Sequence, residues 1–415
     1  MSGIRYVPAL LIVLAVAALA TEHGSHYPIG ILFLLGLVQW IRAPASMFGS
    51  AGARLFVTVF ACLWIPMLLS LPDAANPARA WKTTVLYLHY LPAGLYVVHM
   101  LADPRIRRIV LGGIAIVVGF WSVDGAIQWF YGRDLFGYPH DGPVLTGVFY
   151  PKQLFGLILA VFTPLYLHVV QRLAARTPFA WLLLAPLLFA IVLSLKRTAW
   201  IMLFAAVAFY AIAFFTVTAR NLRLASLALV VSLALLATAV TFVPTLRMQV
   251  SNTMNLFSAD FETADIATSR RLTLWKTGAG IARAHWLNGV GPRGYRTVYR
   301  DFAAADDFWI LRGTKGQTHP HLMVLEVITE TGLIGLFGYA LGLLLLAKAI
   351  WRLRVHDPGA AVCLIVAAVA WFPLNAHLAF YGSYWSNIGW LVFALGCTGL
   401  NSRCAGPAPL ACLQR

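Results

Sequence analysis

Apolar runs of about 15 to 22 residues, almost free of charge, recur along most of the chain, and this repetition restricts the fold to one class. A helix rises about 1.5 Å per residue, so roughly 20 such residues cross the 30 Å hydrocarbon layer of a bilayer. In that layer a helix satisfies its backbone polar groups within its own segment. Only 11% of the 415 residues are Asp, Glu, Lys or Arg and 60% are apolar, whereas an ordinary soluble domain carries about 25% charged residues. A soluble globule is excluded, and the expected fold is an all-α polytopic integral membrane protein forming one domain over residues 1–415.

Runs bounded by charge, Pro or Gly place about twelve spans near 6–20, 29–41, 55–71, 84–101, 109–130, 153–170, 179–195, 199–217, 224–243, 322–347, 360–379 and 384–400. The first run resembles a signal peptide in length, but Arg5 is a thin basic flank and a second run follows directly, so it reads as a span. With a cytoplasmic N-terminus, fifteen basic residues fall in the cytoplasmic loops and tails, among them Arg105, Arg107 and Arg108. The opposite short loops and span ends hold Arg79, Lys82, Arg133, Lys152, Lys196 and Arg197. The positive-inside rule therefore puts both termini in the cytoplasm. The net charge of +16 is then a matter of topology, and no nucleic-acid partner is expected. Cys62, Cys363, Cys397, Cys404 and Cys412 show neither paired spacing nor a Cys/His cluster, and read as reduced and structural.

The same count places residues 244–320, between spans 9 and 10, outside the membrane as a large helical loop with ten Lys or Arg and six Asp or Glu. Apolar positions at three and four from Ser269 to Ala284 predict a helix. Two amphipathic segments lying on the membrane surface account for such a loop. Arg270 and Arg271 stand at the start of that helix, where its N-terminus would add attraction for an anion. Lys196 and Arg197 sit between two apolar runs on the side poor in basic residues, which is costly unless an anion or a lipid headgroup meets them. His319-Pro320-His321 closes the loop at the mouth of the tenth span, and imidazole suits proton transfer near neutrality. Gly289 to Gly294 formally matches a dinucleotide fingerprint, but no strand precedes it, so it reads as a loop. Asp260 and Glu262 lack the further oxygen ligands that a hard cation needs and read as surface acids. Asp124, alone inside a span, reads as an interior hydrogen-bonding residue.

Three stretches together resemble the O-antigen ligase and polymerase superfamily of bacterial envelope biogenesis. They are Arg271-Leu272-Thr273-Leu274-Trp275, His285-Trp286-Leu287-Asn288-Gly289-Val290-Gly291-Pro292, and His321 followed by Gly332-Leu333-Ile334-Gly335. The turn Ser194-Leu195-Lys196-Arg197-Thr198-Ala199-Trp200 is similar to the family's basic turn before another span. The ligase motif runs His, an amide or hydroxyl residue, nine residues, then Gly-x-x-Gly; His321 meets the spacing, with Leu322 as a departure at the second position.

The resemblance implies a GT-C-like helical glycosyltransferase of the bacterial inner membrane with its active site on the periplasmic side. It would move O-antigen from undecaprenyl diphosphate to lipid A-core oligosaccharide, with membrane lipids as further partners and no cofactor or metal. In that scheme Lys196, Arg197, Arg270 and Arg271 would bind the diphosphate and His321 would be the general base, with His319, Arg293, Gly332 and Gly335 in support. A polymerase or a protein O-oligosaccharyltransferase would share the donor and differ in acceptor. A transporter should instead show related halves and ionisable groups near the midplane, and this chain has a single lopsided loop.

Overall fold

The computed structural model describes residues 6–401 apart from 217, 220, 222, 224–225, 227–236, 239, 315 and 377. The expected ninth span, 224–243, lies largely outside the described residues, as do Arg5, Cys404 and Cys412. The described residues form eighteen α-helices and no β-sheet. The first ten are α1 Val7–Ala17, α2 His26–Arg42, α3 Pro44–Phe48, α4 Ala51–Leu69, α5 Pro77–Tyr87, α6 Tyr90–Met100, α7 Pro104–Tyr131, α8 Phe155–Ala174, α9 Leu184–Leu193 and α10 Arg197–Phe214. The 244–320 segment supplies α11 Pro244–Met254, α12 Phe261–Ala267, α13 Arg271–Ala284, α14 Tyr295–Phe302 and α15 Phe308–Leu311. Then follow α16 Met323–His356, α17 Pro358–Ala370 and α18 Ser383–Cys397.

Five helices, α4, α7, α8, α10 and α16, are long and apolar enough to cross a membrane, and shorter apolar helices accompany them. The protein is therefore an all-helical membrane protein with several spans. The expected single span at 84–101 is instead two short helices, α5 and α6, that meet at Leu88 and His89. Pro92 has no N–H to donate to the carbonyl of Leu88, and the chain passes the junction in tighter turns, with Leu91 N donating to Leu88 O at 3.0 Å.

At the centre stand α17, apolar on every side as a helix enclosed by others must be, and α18, whose buried Ser386 and Asn387 are hydrogen-bonded. Every residue from Ala360 to Ala367 is wholly buried. Small residues let the two helices approach closely, since a Cβ on Gly396 would lie 2.4 Å from a methyl of Leu364. Around them α16 packs on α4, α10 on α8, α2 on α6 and α1 on α7.

Two charges inside this bundle have partners. Arg107, expected among the loop cations of the positive-inside count, is 2% exposed; it pairs with Asp357 and donates to Thr398 Oγ1 at 2.8 Å. Asp124 accepts from Leu135 N at 2.9 Å, as an interior hydrogen-bonding residue should.

The decisive irregularity lies in α16. At Gly332 the backbone takes φ 64°, ψ −162°, and the helix opens. The freed groups are satisfied by the preceding segment: Leu333 N donates to Trp286 O at 2.8 Å, Ile334 N to Leu287 O at 3.2 Å, and Val290 N to Thr329 O at 3.0 Å. A Cβ at Gly332 would lie 2.2 Å from Leu287 O, so the conformation and the close approach both demand glycine. Gly335 serves the same junction, because its missing Cβ leaves room for the Thr331 hydroxyl.

Gly332→Ala should therefore cost about 1–3 kcal/mol from the backbone conformation alone, with the clash in addition. Gly112→Ala, whose Cβ would meet nothing within 4 Å, is the control. Thermal unfolding in detergent should show a clearly lower transition for the first and an unchanged one for the second; equal transitions would refute the role of the break.

Candidate active site

The 244–320 segment has a small core of its own. The apolar positions of α13 that suggested an amphipathic surface helix, Leu274 and Ile281, close a second small core with Val290, Tyr295 and Tyr299. The expected helix over Ser269–Ala284 is observed as α13.

The turn from α12 into α13 is built around Asp265, which is 1% exposed. Its carboxylate accepts from Thr273 N at 3.0 Å and Thr273 Oγ1 at 2.6 Å, and its carbonyl accepts from Arg270 N at 2.7 Å. This holds Ser269 and Arg270 in the left-handed region, both at φ 61°. Two amides at the α13 N-terminus, where the sequence suggested attraction for an anion, are already taken. Asp265 takes the N–H of Thr273, and the Thr268 hydroxyl takes that of Leu272 at 3.4 Å. Arg270 is likewise committed to the fold, with Glu262 at 2.7 Å, Asp265 at 3.7 Å and the Phe308 ring 4.4 Å below its guanidinium. Asp260, the other acid of that pair, caps α12 by accepting from Thr263 N at 2.8 Å.

The other three candidate cations converge. Arg271 Nη1 reaches Thr198 Oγ1 at 3.4 Å, Arg197 Nη2 reaches Ser269 Oγ at 3.4 Å, and Lys196, just before α10, donates to Gln153. Gln153 in turn donates to Asp141. Arg197 Nη1 is buried without a hydrogen-bond partner among the described residues. Burial lowers the pKa of Lys196, with Asp141 opposing and Arg271 adding to the shift. Burial also lowers that of Arg271, and Arg197 adds to it. Three half-buried cations that repel one another are what an anion would relieve.

The histidine turn is held against the same helix. Arg271 and Trp275, four residues apart, share one face of α13, and Trp275 Nε1 donates to Pro320 O at 3.1 Å. His319 and His321 have ring centroids 4.0 Å apart, and His321 takes φ 50°. Beyond it the first amides of α16 are satisfied by Asn375 O, 3.0 Å from Met323 N, and by Pro373 O, 3.2 Å from Val324 N. The turn is thus pinned on both sides.

On the far side of His319 opens a cavity of about 480 Å³ whose charged lining is Arg79, Lys82 and Arg293. Arg293, at φ 62°, is steered by two wholly buried acids of α16: its N–H donates to Glu330 at 2.6 Å and its guanidinium lies 4.0 Å from Glu326. Glu326 also accepts from Phe380 N at 2.9 Å and Tyr381 N at 3.4 Å, tying down the cavity wall. Burial, with Arg293 and Arg79 nearby, pushes Arg296 down to about 10. Sequence reasoning counted Arg79 and Lys82 only as loop charges and passed over Glu326, Glu330 and Asp265. The available signal was two acids four residues apart at the start of an apolar run.

The Gly289–Gly294 stretch is a run of turns, as expected, with Val290 O accepting from Ala75 N at 3.0 Å. Among the described residues no three His, Cys, Asp or Glu side chains are grouped to hold a metal ion.

Fold and site define a helical membrane protein whose folded insertion joins a basic cluster to a histidine turn. Residues 182–340, from α9 and the basic turn to beyond Gly335, match the O-antigen ligase family. Over that stretch the chain is similar to the O-antigen ligase and polymerase superfamily, whose members are transferases acting on lipid-linked polysaccharide. No curated protein matches the chain.

Asp265→Ala should leave the Thr273 amide and hydroxyl unpaired at about 1–3 kcal/mol per buried group. Limited proteolysis should then cleave near 265–275 faster than in the wild type. Unchanged cleavage would show that the turn does not depend on this carboxylate.

Proposed function

We propose that the protein is an O-antigen ligase, transferring O-antigen from undecaprenyl diphosphate to the lipid A-core oligosaccharide. The observation that carries this reading is the convergence of Lys196, Arg197 and Arg271 beside a histidine turn bonded to the Arg271 face of α13. In this reading the chain lies in the bacterial inner membrane with both termini cytoplasmic, and the 244–320 segment and its site are periplasmic. The scaffold is of the GT-C type.

The three cations receive the donor diphosphate and stabilise the charge that builds on it as the bond to the sugar breaks. Arginine suits a phosphate because its planar fork donates two parallel hydrogen bonds. Three fixed cations do the work a metal would do, so transfer is proposed to be metal-independent. Arg270 shapes the turn that presents Arg271.

A diphosphate leaves readily, whereas a sugar hydroxyl is a poor nucleophile. His321 takes the proton from the acceptor hydroxyl as its oxygen attacks the anomeric carbon. The electron pair of the breaking C–O bond goes to the diphosphate, and the proton passes from the imidazole to water. One displacement of this kind inverts the anomeric centre. His319 supports the turn, Gly332 and Gly335 form the junction that holds it, and Arg293 faces the cavity beside it.

The test is transfer by the purified protein with undecaprenyl-diphosphate-linked glycan, lipid A-core and excess chelator. His321→Ala should reduce transfer by about 10²–10⁴-fold, the usual contribution of a general base, with donor still bound. Arg197→Ala and Arg271→Ala should raise the KM for donor. Normal transfer by His321→Ala removes the base, a requirement for added metal overturns the metal-free mechanism, and lengthening of the donor chain without lipopolysaccharide reassigns the protein as a polymerase.

A further inference from the structure

We infer that the cavity lined by Arg79, Lys82, Arg293 and His319 is a separate subsite for an anionic, phosphate-bearing sugar, and that it holds the acceptor headgroup while the Lys196–Arg197–Arg271 cluster holds the donor. The inference rests on the transferase reading of the histidine turn.

Its volume, about 480 Å³, lies in the range of sites that enclose a small ligand and is generous for a diphosphate alone. Aromatic side chains line the walls: Tyr87, Tyr90, Tyr381 and Trp385 are almost wholly buried, and Tyr384 is half-buried. The charge at the rim is positive. Arg79 and Lys82 project from α5, which Asn76 caps by accepting from Arg79 N at 3.0 Å. Among the described residues neither has an acid within ion-pair distance, in contrast to Arg107 and Arg270.

The wall is also preorganised. Glu326 holds the backbone of Phe380 and Tyr381, and the Tyr381 hydroxyl bonds Thr331 Oγ1 at 2.9 Å. The same α16 acids aim Arg293. A cavity held this rigidly places its ligand reproducibly.

Its position assigns the ligand. The His319–Pro320–His321 turn touches the donor-side helix through Pro320 and the cavity through His319. A base placed between two anion sites serves the hydroxyl held in one and the anomeric carbon delivered to the other. Because the cluster already gathers three cations, the second basic site goes to the second substrate.

The test is equilibrium binding, which needs no turnover and so stands apart from the ligase assay. The probes are a deacylated, phosphorylated core oligosaccharide, the same glycan after phosphatase treatment, and undecaprenyl diphosphate, each titrated into the purified full chain. Wild type should bind the phosphorylated glycan on the order of 10-fold more tightly than the dephosphorylated one, as loss of charge-assisted hydrogen bonds implies. Arg79→Ala/Lys82→Ala should lose that preference while still binding undecaprenyl diphosphate like the wild type. The charge-matched control, Arg105→Ala/Arg108→Ala, removes two exposed cations beyond the other end of α6 and should keep the preference.

If the double variant retains the preference, or the wild type shows none, the cavity is not a phosphate-reading subsite. If the variant instead loses undecaprenyl diphosphate, the cavity belongs to the donor. Binding as expected in a protein that makes no lipopolysaccharide would sustain the subsite and overturn the ligase.

Discussion

An opened helix has to replace the hydrogen bonds it gives up, and away from water the cost of failing to do so is several kcal/mol per group. That requirement governs the junction at Gly332. The turns of Trp286–Val290 supply the missing partners, and the folded insertion is thereby fixed to α16 by main-chain bonds. Part of the candidate site hangs from this joint. Thr329, Glu330 and Thr331 sit immediately before it, Arg293 is bonded to Glu330, and the histidine turn precedes the same helix.

Charges in this protein fall into two kinds. Arg107 and Arg270 lie against carboxylates, and removing either partner would strand the other, so these pairs hold the fold. Lys196, Arg197 and Arg271 are half-buried beside one another and, among the described residues, hydrogen-bond to hydroxyls and an amide, with Asp141 one step removed through Gln153. Burial and mutual repulsion both disfavour that arrangement, and an incoming anion relieves both. Arg79 and Lys82, with no acid in ion-pair distance among the described residues, form a second group at the rim of the cavity. The histidine turn is bonded to α13 through Pro320 and lines the cavity through His319.

Much of this was legible in the chain itself. Period and length announced helices in a membrane, Lys196 and Arg197 were singled out as charges between apolar runs and Arg271 by its place at a helix start, whereas the break at Gly332 lay inside a span expected to run unbroken over 322–347. The reading went astray where a residue's role depends on what folds against it. Arg270 and Arg271 are indistinguishable in sequence, yet two left-handed residues turn one toward Glu262 and Phe308 and the other toward Thr198. The span at 84–101 breaks because Pro92 cannot complete the bond to Leu88, a local rule overlooked in a continuous apolar run.

Apolar periodicity alone determined that the chain is helical and membrane-embedded, because the bilayer admits few ways to satisfy a backbone. It also determined which side chains can bear charge or move a proton. Which of those residues form one site was decided only by tertiary structure, since Thr198 and Arg271, or Arg79 and Arg293, are far apart in the chain and adjacent in space. The pairing of Glu326 with the 380–381 backbone, and of Glu330 with Arg293, belongs to the same category. Hydrogen bonds act over about 3 Å in space and carry no mark of sequence separation, so no pattern along the chain encodes them.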